Sequence, residues 1–199
     1  SVSVATALGC TSVASAAVPV TVNTLPTTPT ITASGPTTFC SGGSVTLSAP
    51  AATSYIWSNG ATTQSINVTA SGTFTVAVTN ASGCTSAVSA SRAVVVNATP
   101  AQPTVIAGGP TTFCNGGSVV ITAPAGFSSY IWSNGATTRA ITATVSGNYS
   151  VSVGTAAGCT SVASNAVAVT VNPVPAQPTI TASGATTFCD GGSVTLTAP

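Results

Sequence analysis

The strongest constraint on the fold is an internal repeat. Residues 39–84, which begin FCSGGSVTLSAP and end TNASGC, recur at residues 113–159 as FCNGGSVVITAP through TAAGC. The pattern starts a third time at Phe188, with FCDGGSVTLTAP, and the opening SVSVATALGCTS matches residues 150–161. Such self-similarity at a fixed period is typical of stacked repeat domains. We therefore expect the chain to be a segment of a tandem array.

The cysteines define the period of the repeat. Cys40, Cys114 and Cys189 lie 74 and 75 residues apart. The extra residue falls where AGFSS (125–129) replaces AATS (51–54). Because repeat proteins tolerate insertions in loops, this stretch is predicted to be a loop.

Four segments follow from this period. Residues 1–25 are expected to be the C-terminal part of a preceding repeat, and residues 26–99 and 100–174 two complete repeats. Residues 175–199 would begin a following repeat. Proline-containing stretches such as ATPAQP mark the boundaries, and proline-rich linkers are semi-rigid.

Alternating apolar residues within one repeat predict about seven short β-strands. Apolar and polar residues alternate along SVTLSA, SYIW, SINVTA and TFTVAVTN (73–80), and the last strand is expected over residues 87–97. Turn residues such as Asn59-Gly60 and Ser71-Gly72 separate these runs. The pattern predicts an all-β fold of small antiparallel sandwiches.

The scarcity of charge excludes several functions. Charged residues make up 2% of the chain, namely Arg92, Arg139 and Asp190. A nucleic-acid-binding surface needs several basic residues, a calcium site needs carboxylates, and acid–base catalysis needs positioned titratable groups. We therefore expect no enzyme activity, no cofactor, no metal site and no nucleic-acid partner.

The cysteines and the apolar runs indicate the compartment. Six regularly placed cysteines predict disulfides and an extracellular or cell-surface location, with small buried thiols as the alternative. No CxxC pair supports a zinc site. No apolar run reaches about 18 residues, so no membrane insertion is expected in this segment.

The order of these strands resembles that of immunoglobulin-like domains. SVTLSA, YIW and SGTFTVAVTN follow strands B, C and F of that fold, with Trp57 and Trp132 at the position of its core tryptophan. Phe74 and Tyr149 stand where the tyrosine near the start of strand F lies. The two cysteines that usually join strands B and F are replaced by alanine and valine. All four aromatic residues are expected in the core.

The whole pattern, CxGGSVxxxAP…YIWSNGATT…SGxYxVxV…GC, resembles a more specific group. It is similar to the Ig-like or PKD-like repeats of very large proteins secreted by gliding Bacteroidota-type bacteria. Those proteins include giant surface adhesins exported by the type 9 secretion route. The identical WSNGATT segments (57–63 and 132–138) are interpreted as turns, with a ligand loop as the alternative.

Three cysteine pairings remain open at this point. Pairing within each repeat joins Cys40 to Cys84 and Cys114 to Cys159, and pairing between domains joins Cys40 to Cys159. Pairing across the linkers joins Cys10–Cys40, Cys84–Cys114 and Cys159–Cys189. Pairing within the repeat is ranked first because each repeat then oxidises as it folds. In an immunoglobulin-like sandwich, however, Cys40 and Cys84 would lie at opposite ends, which favours the bond between domains.

These observations predict a structural protein. The expected function is an extracellular stalk or filament of disulfide-reinforced repeats that supports cell-surface adhesion. Its partners would be neighbouring repeats of the same chain, with lateral self-association into fibres through exposed strand edges. The alternatives are an adhesin module that binds surface glycans and a spacer within a secreted enzyme.

Overall fold

The chain forms two compact units built only from strands, turns and loops. The structure is a computed structural model that describes all 199 residues, Ser1–Pro199. The units are Ser1–Ala98 and Thr99–Pro199. No segment forms a helix that could cross a membrane. The all-β prediction is confirmed.

The first unit contains eight strands. They are β1 (Thr32–Ala33), β2 (Thr38–Cys40), β3 (Val45–Ser48), β4 (Ser54–Trp57), β5 (Ser65–Val68), β6 (Gly72–Phe74), β7 (Val76–Thr79) and β8 (Arg92–Asn97). The strands are short because glycine, proline and asparagine turns interrupt the apolar runs every few residues.

The second unit repeats this series and then begins it again. Its strands are β9 (Ile106–Ala107), β10 (Thr112–Cys114), β11 (Val119–Thr122), β12 (Ser129–Trp132), β13 (Ala140–Ala143), β14 (Gly147–Tyr149), β15 (Val151–Gly154), β16 (Val167–Asn172), β17 (Thr181–Ala182) and β18 (Leu196–Thr197). The pair β17–β18 has the same antiparallel register as β1–β3.

The strand order is that of an immunoglobulin-like sandwich. One sheet of the first unit has the order β1-β3-β5, while β2-β8-β6 and β4-β7 form the opposite layer. All pairs are antiparallel except β2 with β8, whose register places Cys40 opposite Asn97. The second unit has the same arrangement, with β10 parallel to β16.

The sequence predicts one strand over residues 73–80, whereas the structure divides it into β6 and β7. β6 pairs with β8, and β7 pairs with β4. Thr75 lies between them and exchanges two hydrogen bonds with Ser58: its carbonyl accepts from the Ser58 amide at 2.9 Å, and its amide donates to the Ser58 hydroxyl at 3.1 Å. The Ser58 hydroxyl therefore takes the place of a backbone carbonyl as the acceptor for the Thr75 amide.

The core lies between the two layers. Leu47 of β3 and Val76 of β7 are both 0% exposed, and Trp57 of β4 is 2% exposed. Residues on alternate positions of β3, β4, β5 and β7 fill the space between them, as the period of two predicts. Trp132 occupies the equivalent position in the second unit and is also buried.

Tyr149 and Phe74 occupy equivalent positions but are held differently. Tyr149 is buried, and its hydroxyl donates a 3.0 Å hydrogen bond to the carbonyl of Val145, four residues earlier. Such a bond to an upstream carbonyl is the tyrosine corner of immunoglobulin-like folds. Phe74 has no hydroxyl and is half-buried against the core of the first unit.

The last strand of the repeat is shorter than the predicted 87–97. β8 spans Arg92–Asn97. Before it the Ser86 and Ser89 amides still donate to the carbonyls of Val78 and Val76, each at 2.9 Å, but serine hydroxyls take the place of backbone carbonyls as acceptors. Ser86 and Ser89 are buried, and their hydroxyls accept hydrogen bonds from the amides of Val78 and Val76, each at 3.1 Å. Ser161 and Ser164 do the same in the second unit. The alternation of apolar residues gave no sign that serine hydroxyls would act as buried acceptors here.

The insertion in the second repeat is a loop, as predicted. No strand crosses residues 125–128, and the ring of Phe127 meets that of Tyr130 edge-on, with centroids 6.5 Å apart. The extra residue changes the local hydrogen bonding. The Tyr55 hydroxyl accepts from the Ala52 amide at 2.8 Å, whereas the Tyr130 hydroxyl donates to the Pro124 carbonyl at 2.9 Å.

Candidate functional site: the cysteine turns and the linker junction

Each repeat presents its first cysteine on a tight turn. Cys40 ends β2, and its carbonyl accepts a 3.0 Å hydrogen bond from the Gly43 amide. Gly42 has a φ of 92°, which a type II turn requires at this position and which glycine adopts without strain. A Cβ on Gly43 would lie 3.0 Å from the Phe39 ring and 3.2 Å from the Cys40 carbonyl oxygen. The CxGG motif therefore fixes where this cysteine lies.

The second cysteine of each repeat lies in the loop that joins β7 to β8. Asn80 holds this loop, because its Oδ1 accepts a 3.0 Å hydrogen bond from the Cys84 amide. In the second unit the Thr155 hydroxyl accepts the equivalent bond from Cys159 at 3.3 Å. The Cys84 side chain is partly buried, and Cys159 is 0% exposed.

Two cysteines of one repeat lie too far apart to pair. Cys40 is in register with Asn97, at the far end of β8, while Cys84 precedes that strand. The six residues of β8 alone extend about 20 Å at roughly 3.3 Å each. A disulfide needs Cα atoms within about 7 Å.

The structure therefore does not contain the pairing within each repeat that the sequence ranked first. Cys40 and Cys159 are disulfide-bonded, whereas Cys10, Cys84, Cys114 and Cys189 keep free thiols. The pairing across the linkers is not present either, since it would use all four of those thiols. The strand order expected from the resemblance had already placed Cys40 and Cys84 at opposite ends of the sandwich, and the pairing of β2 with β8 agrees with that objection.

The linker that enters the first complete repeat is held by the β7–β8 loop. The Asn80 side-chain amide donates a 2.9 Å hydrogen bond to the carbonyl of Thr24. The Cys84 sulfur lies 4.0 Å from the carbonyl oxygen of Asn23, within hydrogen-bonding reach for a thiol. We call these four residues the linker junction. Sequence reasoning missed it, although an asparagine four residues before a cysteine is a local signal for a loop-closing side chain.

The linker that enters the second complete repeat is also held. Gln102 follows the proline-containing stretch ATPAQP, and its side-chain amide donates a 2.7 Å hydrogen bond to the carbonyl of Ala163. Ala163 lies between the two buried serines of that repeat. The linkers that enter the two complete repeats are thus tied to the domain that follows them through an amide side chain.

The WSNGATT segment is a tight turn after β4. The Gly60 amide donates to the Trp57 carbonyl, the Trp57 amide donates to the Ala61 carbonyl, and both bonds measure 2.9 Å. The Trp57 indole N–H donates to the Thr63 carbonyl at 2.8 Å. Because Trp57 is also buried, its ring offers no platform for a sugar.

The first unit also has a cleft of about 630 Å³ beside the linker junction. Prolines, threonines and alanines line it, including Pro26, Pro29, Pro50 and Thr53, together with Asn80. No aromatic or charged side chain lines it. The cleft therefore lacks the stacking surfaces that sugar-binding sites commonly use.

Comparisons with known proteins extend this description only slightly. No protein-family model matches the chain, and no curated protein matches it. Among solved structures, the chain is similar to the fibronectin(III)-like modules of CbhA from Clostridium thermocellum, at 18% sequence identity. The match covers 72% of this chain and 94% of that one, with a TM-score of 0.39. The sheet order and the two buried cores of the chain itself identify it as an all-β protein of tandem immunoglobulin-like sandwiches.

Proposed function

We propose that the chain is part of an extracellular stalk or filament built of disulfide-reinforced immunoglobulin-like repeats, which supports adhesion at a cell surface. The observation that carries this proposal is the attachment of each linker to the following domain, by Asn80 to Thr24 and by Gln102 to Ala163. A linker held by hydrogen bonds restricts swinging, and restricted swinging is what a load-bearing spacer needs.

The surface chemistry also supports a spacer. With charged residues at 2% of the chain and a net charge of +1, neighbouring copies repel each other very little. The outer faces of β4 and β12 carry Ile56 and Ile131, which are 58% and 55% exposed. Uncharged edge strands with exposed apolar residues favour association with other copies. Lateral self-association into fibres is therefore part of the proposal.

The proposed role needs no reaction chemistry. The three charged residues lie apart in the sequence, and Arg92, which begins β8, and Arg139, which precedes β13, are exposed. We propose that the chain is not an enzyme and needs no cofactor, and that its partners are neighbouring repeats. Because mainly small and aliphatic residues line the cleft, it favours a structural role over recognition of surface glycans.

Immunogold electron microscopy of native cells and shed material tests the proposal. Antibodies raised against residues 26–174 should label thin filaments that extend from the cell surface, at many points along each filament. Label confined to the cell interior, or to isolated globular particles, would contradict the stalk. Binding of the purified chain to a glycan array, abolished by substitutions in the cleft such as Asn80→Ala, would favour the adhesin module instead.

A further inference from the structure

Three asparagines of the chain are each followed directly by glycine: Asn59, Asn115 and Asn134. An asparagine in this position is prone to lose its side-chain amide, because glycine leaves the next backbone nitrogen open to approach and free to rotate. All three asparagines are exposed to solvent. Since the local chemistry is the same, hydrogen bonding in the folded chain decides which of them reacts.

Both reacting groups at Asn134 and at Asn59 are held by hydrogen bonds. The Gly135 amide, whose nitrogen would attack, donates to the Trp132 carbonyl at 2.9 Å. The Oδ1 of Asn134, part of the group that would be attacked, accepts from the Ala136 amide at 3.1 Å. The first unit forms both bonds around Asn59, at 2.9 Å and 3.2 Å. Cyclisation at either residue therefore requires two hydrogen bonds to open.

Asn115 lies in the CxGG turn, where neither reacting group is held. The turn is closed by the Gly117 amide, which donates to the Cys114 carbonyl at 3.0 Å. This bond passes over Gly116, whose own amide donates to no backbone carbonyl. A Cβ built on Gly116 would meet nothing within 4 Å, so the space around it is open. The backbone amide of Asn115 donates to the Asn172 carbonyl at 2.8 Å, which fixes the turn but leaves the carboxamide free to rotate.

We propose that Asn115 is a site of spontaneous deamidation in the folded chain and that the fold protects Asn59 and Asn134. The Gly116 nitrogen gives its proton to a solvent base and bonds to the side-chain carbonyl carbon of Asn115. The carbon–nitrogen bond of the carboxamide then breaks, and the leaving nitrogen takes a proton from solvent and departs as ammonia. Water opens the resulting cyclic imide to aspartate or isoaspartate, so that overall one water enters and one ammonia leaves.

The third copy of the turn shows that a carboxylate fits at this position. Asp190 is the equivalent of Asn115. Its turn keeps the closing bond, from the Gly192 amide to the Cys189 carbonyl at 2.9 Å. The aspartate product is thus compatible with the turn. Because the formal net charge of the chain is only +1, the new carboxylate makes the chain neutral.

Incubation of the folded, purified chain at mildly alkaline pH, followed by peptide mapping, tests the proposal. Trypsin cuts after Arg92 and Arg139, so Asn115 and Asn134 lie on one fragment, 93–139, and tandem mass spectrometry compares them directly. An unincubated sample sets the background that arises during digestion. We expect Asn115 to deamidate at least about tenfold faster, because the two hydrogen bonds at Asn134 have to open first. Equal rates, or a faster reaction at Asn134, would overturn the proposal.

A denatured sample separates the effect of the fold from that of the neighbouring residues. In denaturant these hydrogen bonds are absent, so Asn115 and Asn134 should deamidate at comparable rates. The same preference for Asn115 in the denatured chain would show that local sequence causes it, which contradicts protection by the fold.

Two matched variants identify the reacting residue in the intact chain. Asn115→Ser, which introduces the residue of the first repeat, should abolish the acidic species that isoelectric focusing detects after incubation, whereas Asn134→Ser should leave it. An acidic species that forms at the wild-type rate in Asn115→Ser, or that is lost in Asn134→Ser, would overturn the assignment. Tryptophan fluorescence checks that both variants are folded. These outcomes are independent of whether the protein is a stalk.

Discussion

At the scale of single residues, alternation in the sequence located the large core side chains but not the small polar ones. Trp57 and Trp132 lie where an immunoglobulin-like core tryptophan is expected, and both are 2% exposed. Ser89 gave no signal, because serine in a valine- and alanine-rich run looks like a surface position. Its burial follows from the amide of Val76, which needs an acceptor once the regular ladder stops.

The hydrogen bond of Ser89 can be tested by substitution. Replacing Ser89 by alanine should lower the free energy of unfolding of the first unit by about 1–3 kcal/mol, since the buried Val76 amide loses its acceptor. Denaturant titration followed by Trp57 fluorescence, in a Trp132→Phe background, measures the change. The control is Ser91→Ala, two residues away and exposed, which should shift the free energy by less than about 0.5 kcal/mol. Equal losses in both variants would contradict the role assigned to the hydroxyl.

At the scale of elements, local sequence predicted most strands and turns, and pairing decided their ends. The CxGG motif predicts a turn, and the structure forms it three times, with φ values of 92°, 94° and 88° at Gly42, Gly116 and Gly191. The strand over residues 73–80 was predicted as one element but is two, because β6 and β7 pair with different partners. No local pattern in residues 73–80 encodes that β6 pairs with β8 while β7 pairs with β4.

A prediction follows for the turn after β10. Gly116→Ala should destabilise the second unit by about 1–3 kcal/mol, because alanine is strained at a φ of 94°. Gly109→Ala is the matched control: its added Cβ would meet nothing within 4 Å, and its φ is not in the left-handed region. Thermal or denaturant unfolding followed by Trp132 fluorescence in a Trp57→Phe background reports both. A Gly116→Ala variant as stable as the control would rule out the strained turn.

At the scale of the whole molecule, the nearly uncharged composition determines how stability responds to the solution. Stability changes with pH only when the folded and unfolded chains bind different numbers of protons. The chain contains no histidine, lysine or glutamate, and Asp190 is its one side-chain carboxylate. Ion pairs between side chains can therefore contribute very little to the stability.

The corresponding prediction concerns pH and salt. Between pH 4.5 and pH 7 the unfolding temperature should shift by less than about 2 °C, because so few protons can be exchanged on unfolding. Adding about 0.5 M sodium chloride should have a similarly small effect, since there are almost no charges to screen. Differential scanning calorimetry of the oxidised chain measures both. A shift of several degrees would mean that ionised groups contribute more than the composition allows.

The sequence by itself determined the repeat, its period, the all-β class and the identity of the large core residues. These features are local or periodic, so that they can be read along the chain without knowing which strands meet. The tertiary structure decided the division of one strand, the burial of the serines and, among the pairings left open, the absence of a disulfide within each repeat. Each depends on strand pairing: β2 runs parallel to β8, so that Cys40 lies opposite Asn97 and far from Cys84.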